Sequence, residues 1–199
     1  MMSIHTWSIT LSELIGTELN LDEAKKSVVS YGLEVIIGAL IKIIVFVLVP
    51  LILGILKPFI IAYITAGILK LSSGGYHCSA YYRCLITTLL IYITIAELAV
   101  HLPQDIPVYV ITMASLIIAL VVFTLVAPVD VPEKPIISPK RRKALKVASI
   151  ASVVILILIL LIIQPVQSIM FAICFSVLFH VFTLTKSGQG FLGWLDNHI

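Results

Sequence analysis

Between residues 72 and 84 the chain reads SSGGYHCSAYYRC, a polar island with apolar sequence on both sides. It holds a histidine and two cysteines, His77, Cys78 and Cys84, behind a glycine pair, Gly74 and Gly75. Cysteine is the best side-chain nucleophile near neutral pH once a histidine takes its proton. On one continuous helix His77 and Cys84 would share a face but lie about 10 Å apart along the axis, too far for proton transfer. The glycines remove that obstacle by permitting a non-helical turn, which folds His77 over the start of the helix carrying Cys84. A helix N-terminus lowers a thiol's pKa, and Arg83 adds positive charge beside it. Backbone N–H groups around the glycines are candidate donors to a tetrahedral oxyanion. A Gly-Gly turn that merely tolerates these side chains explains the same residues without catalysis, and spacing does not decide between the two. A metal held by His77, Cys78 and Cys84 would lack the fourth protein ligand that structural zinc takes. Neither a metal nor a cofactor is expected.

The elements that must position these residues are membrane helices. The chain has 199 residues, 60% hydrophobic and 12% charged, with a mean hydropathy of +1.17, whereas soluble domains are about a quarter charged. A spanning helix needs roughly 20 apolar residues, and 108–126, 147–163 and 166–184 each approach that with hardly a polar interruption. The 41 residues from Tyr31 to Leu71 would make one helix of about 60 Å, twice the ~30 Å hydrocarbon core, so they must fold back. Pro50, Gly54 and Lys57-Pro58 mark the turn. The expected fold is an all-α polytopic bundle of about six spans, at 31–50, 55–71, 83–101, 107–127, 147–163 and 166–185, forming a single domain over 1–199.

Residues 1–30 read as an interfacial amphipathic segment. Ile4, Trp7, Leu11, Leu14 and Ile15 recur at helical spacing, and Asn20, three residues before Glu23, is the expected N-cap of a second helix. Polar residues run through the whole of 1–30, so no removable signal peptide is expected. With the N-terminus inside, eleven basic residues (Lys25, Lys26, Lys70, Arg83, Lys134, Lys140, Arg141, Arg142, Lys143, Lys146 and Lys186) fall on the cytoplasmic side. Only Lys57 falls outside, and Lys42 is mid-span. The positive-inside rule therefore puts both termini, the 72–84 segment and the basic loop 128–146 in the cytoplasm.

The remaining ionisable groups give a second reading. Glu34, Lys42, Glu97 and His180 lie within expected spans, where such groups are costly and suggest function, so a small transporter or channel is an alternative. No inverted repeat and no shared depth support it. A non-catalytic membrane scaffold is a third reading. His101 and Asp105 read as solvated, and Cys174 as a small core residue. With three cysteines, no CxxC and a reducing compartment, free thiols are expected.

The stretch GGYHCSAYYRC resembles the GG-x-H-x6-C signature of the accessory gene regulator B (AgrB) family, membrane cysteine endopeptidases of Gram-positive quorum sensing. APVDVPEKPI, Ala127 to Ile136, followed by the basic PKRRKALK, is similar to that family's loop after the fourth span. The resemblance extends over nearly the whole chain in length and hydropathy. It implies His77 as general base and Cys84 as nucleophile, with Gly74, Gly75 and Arg83 supporting the turn or the oxyanion. The implied reaction cuts a membrane-bound precursor peptide, keeps the signal part as a thioester on Cys84, and closes it into a thiolactone. It also implies a substrate with an amphipathic N-terminal part and an acidic tail, drawn to Lys70, Lys140, Arg141, Arg142 and Lys143. Anionic lipid is a further partner of the basic run, a homodimer is suggested by the resemblance, and no nucleic acid is expected. Position 78 departs from the pattern, with cysteine for a small residue, and Lys70 stands where arginine is frequent. A helical neighbour of His77 points about 100° away from it, which favours Cys84 over Cys78.

The topology is open to test. In a cysteine-accessibility scan of membranes, positions 130 to 145 should label only from the cytoplasm and position 105 only from outside; labelling of both from one side would rule out six spans.

Overall fold

The computed structural model describes residues 4–76, 78–103, 105–130 and 135–199. His77 and Lys134 thus lie outside the described residues, as does the centre of the Ala127–Ile136 motif. Eight helices make up the described fold: α1 (Ile4–Glu18), α2 (Glu23–Ile52), α3 (Leu56–Ser73), α4 (Tyr81–His101), α5 (Val108–Val126), α6 (Pro139–Ile163), α7 (Gln167–Thr183) and α8 (Lys186–His198). α2 to α6 are each long and apolar enough to cross a membrane, and α7 with α8 forms a sixth candidate across a 93° bend. The all-helical fold expected from hydropathy is therefore present, with five to six candidate spans where about six were expected. The chain divides into two compact units, Met1–Val49 and Pro50–Ile199.

In the first unit α1 folds back on the start of α2. The buried side of α1 is Ser8, Ser12 and Gly16, four residues apart, while Trp7, Leu14 and Ile15 stay exposed. Small residues let the two backbones approach. The Ser8 and Ser30 hydroxyls are 3.5 Å apart, and a Cβ on Gly16 would meet Lys26 Cγ at 2.6 Å. Asn20 does not cap α2. It sits at φ 48°, closing α1: its N–H reaches Thr17 O, and the Leu21 N–H reaches Gly16 O at 2.9 Å. Asparagine tolerates this left-handed position, which makes a Schellman ending. The N-cap contact falls to Asp22, whose Oδ1 accepts from the Lys25 N–H at 2.8 Å.

The second unit repeats the device. Gly54, at φ 74°, ends α2: the Ile55 N–H bonds Pro50 O at 2.9 Å and the Gly54 N–H bonds Leu51 O at 3.1 Å. The break between helices is three residues long, between Ile52 and Leu56, where Pro50, Gly54 and Pro58 led us to expect a turn. α7 is the central helix, packed against α3, α4, α5 and α8, and α6 lies against α3 and α5. Leu69, Leu116, Phe123, Val153, Met170 and Val177 form the core. Polar ties cross it, since a hydroxyl without water must find a protein acceptor. Ser176 Oγ donates to Ala62 O at 2.6 Å, and Thr112 Oγ1 to Met170 O at 3.3 Å. Large apolar side chains such as Ile117, Leu125, Leu158 and Ile162 cover the outside.

α6 starts eight residues before the expected span. Ser138 caps it, accepting from the Arg141 N–H, and Pro139 occupies the first helical position, the pairing that favours helix initiation. Lys140, Arg141, Arg142 and Lys143 thus project, exposed, from the first turns of a helix rather than from a loop.

The tightest backbone approach joins the end of α3 to the α5–α6 connection. Gly74 (φ 80°) pairs with Val129 in an isolated parallel bridge, and the Val129 N–H donates to Ser73 O at 2.9 Å. A Cβ on Gly74 would stand 2.3 Å from Val129 O, whereas one on Gly67 would meet nothing within 4 Å. Gly74→Ala should therefore cost about 1–3 kcal/mol from its backbone conformation alone, with the clash added. Gly67→Ala should be neutral or stabilising by up to about 1 kcal/mol. Thermal unfolding of both variants in detergent, followed by circular dichroism, checks the contrast; equal melting points would refute the close approach.

Candidate active site

The candidate site forms where the ends of α3, α4, α7 and α8 meet. α3 stops because Gly74 takes up a positive φ, with its N–H bonded back to Lys70 O at 3.0 Å. That N–H caps a helix, so Gly74 acts as turn support. Gly75, buried and at φ 129°, lets the chain pass close to Thr183 and Leu184 of the α7–α8 junction. Lys70 Nζ then donates to Tyr76 O at 2.6 Å, securing the following loop.

α4 begins at Tyr81 with Ala80 as its N-cap, which offers no side-chain acceptor. First-turn N–H groups have no intrahelical partner, so the start of α4 presents its positive end to the site. Cys84 lies at the end of that first turn, its N–H bonded to Ala80 O at 3.0 Å. Its thiol is half-buried, with Thr88 Oγ1 at 3.9 Å. Cys78, also half-buried, lies near Cys84. Burial pushes the Cys78 thiol up to about 11, the nearby Cys84 and Asp196 add to the rise, and Lys70 opposes it. Among the described residues all three cysteines are free.

The residue that sequence reasoning missed is Asp196, on α8. Its carboxylate is 4% exposed, and its Oδ2 accepts from the Tyr76 hydroxyl at 3.0 Å and the Ser79 N–H at 2.9 Å. The Ser79 N–H, with help from the Ser79 and Tyr76 hydroxyls and Arg83, holds Asp196 below the usual carboxylate range against the opposing effect of burial. Arg83 donates to the Asp196 backbone carbonyl, reaches Tyr82 Oη at 3.1 Å, and comes within 4.0 Å of Asp196 Oδ1. Its charge therefore faces a carboxylate. A lone acid in a polar tail reads as solvated. The available signal was the four-residue stripe of Gly188, Leu192 and Asp196, all buried, behind a Thr185 N-cap that accepts from the Gly188 N–H.

The structure thus brings Lys70, Gly74, Gly75, Arg83 and Cys84 to one end of the bundle. Asp130, one residue from Val129 of the bridge, pairs with Arg142 and links the basic run to this end. The other intramembrane groups do not join them. His180 Nε2 is 2.7 Å from Ser73 Oγ and its ring meets Phe123 edge-on, Glu97 lies 3.4 Å from His101, and Glu34 lies 3.0 Å from His5. Cys174 is fully buried in the core.

Comparison with known proteins identifies the family. A family model described as accessory gene regulator B matches residues 8–184, from α1 to the end of α7. The chain belongs to the AgrB family. It is 31% identical to the "Putative AgrB-like protein" of Clostridium perfringens (strain SM101 / Type A), covering 98% of this chain and 97% of that one. It is 29% identical to "Putative AgrB-like protein 2" of Clostridium perfringens (strain 13 / Type A), with the same coverage. No solved structure matches. The GGYHCSAYYRC stretch and the Ala127–Ile136 stretch, read separately in the sequence, touch through the Gly74–Val129 bridge.

The raised Cys78 thiol generates a test. Because only the thiolate is alkylated, Cys78 should react slowly with iodoacetamide at pH 7.5 and speed up about tenfold per pH unit toward pH 10. Mass spectrometry of the labelled peptides reads this directly, and a plateau reached by pH 8 would contradict the burial seen here.

Proposed function

We propose that this AgrB-family protein is a membrane cysteine endopeptidase that processes the precursor of an autoinducing peptide. One observation carries the reading: the thiol in the family signature stands half-buried in the uncapped first turn of α4, beside a loop tied down from α3 and α8. A helix start favours a thiolate, and apolar helices behind it limit water.

In this reading His77 takes the Cys84 proton, and the sulfur attacks the scissile carbonyl of the precursor. The C–N bond breaks, the leaving amine receives the proton from His77, and the signal segment remains as a thioester on Cys84. A cysteine within that segment then attacks the thioester, releasing Cys84 and closing a thiolactone. Exchange of one thioester for another is nearly balanced, so the acyl group stays activated as long as water is kept out.

The proposed substrate carries an amphipathic N-terminal part and an acidic tail. Lys140, Arg141, Arg142 and Lys143, with Lys70 nearer the loop, supply the attraction for that tail, which salt screens within about 10 Å at 0.1 M. The same run suits anionic lipid headgroups. We place the site at the cytoplasmic face of the cell membrane on the charge asymmetry of the loops.

Cys84→Ser should lower precursor cleavage at least about a thousandfold while leaving membrane insertion intact, and Cys78→Ala should retain most activity. Mass spectrometry of the peptides made in cells expressing each variant decides it. The opposite ranking would move the nucleophile to Cys78, and full activity in both would end the protease reading.

A further inference from the structure

Asp196 is the one buried carboxylate at the Cys84 end of the second unit among the described residues. Both hydrogen bonds it accepts through its side chain fall on a single oxygen, Oδ2. The other, Oδ1, is buried, stands 4.0 Å from Arg83, and accepts no hydrogen bond among the described residues. A buried carboxylate oxygen left in that condition calls for a donor. The two residues that Oδ2 holds, Tyr76 and Ser79, flank His77 in the chain.

We propose that Asp196 is a positioning residue for the Cys84–His77 pair: it seats the loop from Tyr76 to Ser79 against the start of α4, and its negative charge stabilises His77 when the histidine takes the thiol's proton. In that step the proton passes from Cys84 Sγ to a ring nitrogen of His77, leaving a thiolate and an imidazolium with the net charge unchanged. A carboxylate beside the imidazolium favours this pair and fixes the ring's orientation, the same physics by which a third residue supports nucleophile–base pairs on unrelated folds. The charged and titratable groups around it come from each neighbouring element: Arg83 from α4, Cys78 and Tyr76 from the loop, and Lys70 from α3 through the Tyr76 carbonyl. Asp196 lies beyond the residues the family model covers, and the inference rests on Cys84 and His77 acting together as proposed above.

The single-oxygen geometry makes the idea separable from a purely structural role. Asp196→Asn can keep both hydrogen bonds on its carbonyl oxygen while losing the charge; Asp196→Glu keeps the charge and shifts the oxygens; Tyr76→Phe removes one bond and leaves the charge. The measurement is the rate of Cys84 alkylation by iodoacetamide between pH 5 and 10, in membranes holding the full chain with Cys78→Ala. Asp196→Asn should slow alkylation at pH 7 at least about tenfold and move the midpoint of the pH profile upward. Asp196→Glu should restore much of the rate, and Tyr76→Phe should leave the midpoint in place. With His77→Gln already present, Asp196→Asn should change the rate less than about twofold, because the charge acts through the histidine. An Asp196→Asn profile matching the parent overturns the proposal, as does an equal loss with and without His77 or a Tyr76→Phe shift as large as that of Asp196→Asn. The assay needs no peptide, so its outcome is independent of whether Cys84→Ser abolishes precursor cleavage.

Discussion

The second unit depends on how the last turn of α3 is tied, and Ser73 is the residue that ties it. Its side chain is inaccessible to solvent and its hydroxyl donates to Leu69 O within its own helix. The same oxygen lies 2.7 Å from His180 of α7, while its carbonyl accepts the Val129 N–H from the α5–α6 connection. One residue thus fixes three elements at a depth where an unmade hydrogen bond is expensive. The neighbouring Gly74 can pair with Val129 only because it has no Cβ. From this joint the chain emerges with a set direction into the loop that leads to Cys84.

Seen from this joint, the buried ionisable groups fall into two kinds. His180 spends its ring on Ser73 and Phe123, so its cost in an apolar span is offset by a helix–helix tie. Asp196 faces the other way, toward the loop, and gathers donors from Tyr76, Ser79 and Arg83. A group locked into the core serves packing, whereas one that holds an irregular segment at the start of a helix serves geometry.

Much of this was legible in the sequence. Hydropathy marked the spans because lipid demands long apolar helices, and the Gly54 and Gly74 turns were visible because few other residues end helices that way. Residue type and spacing drew attention to the segment around Cys84, but they fit a plain Gly-Gly turn as well as catalysis, because neither fixes how the side chains meet. The start of α6 was misplaced because four cations in a row look like a solvated loop, while the Ser138-Pro139 start signal outweighs their unfavourable position at a helix N-terminus. Asn20 was read as beginning one helix when it ends another, since both roles suit a short polar side chain. Asp196 escaped notice because its partners are more than a hundred residues away, and no local pattern encodes such a meeting.

That separation has a consequence for how the protein is made. The bond between Tyr76 and Asp196 spans 120 residues, and α4, α5, α6 and α7 intervene. At a typical 5–20 residues per second the ribosome needs on the order of ten seconds to reach Asp196 after Tyr76 has been joined to the chain. For most of that interval the nascent protein carries Cys78 and Cys84 without the carboxylate that holds Tyr76 and Ser79. The thiol therefore meets its complete surroundings only after the intervening helices have been synthesised, an order of assembly that keeps half-made copies from holding the finished site.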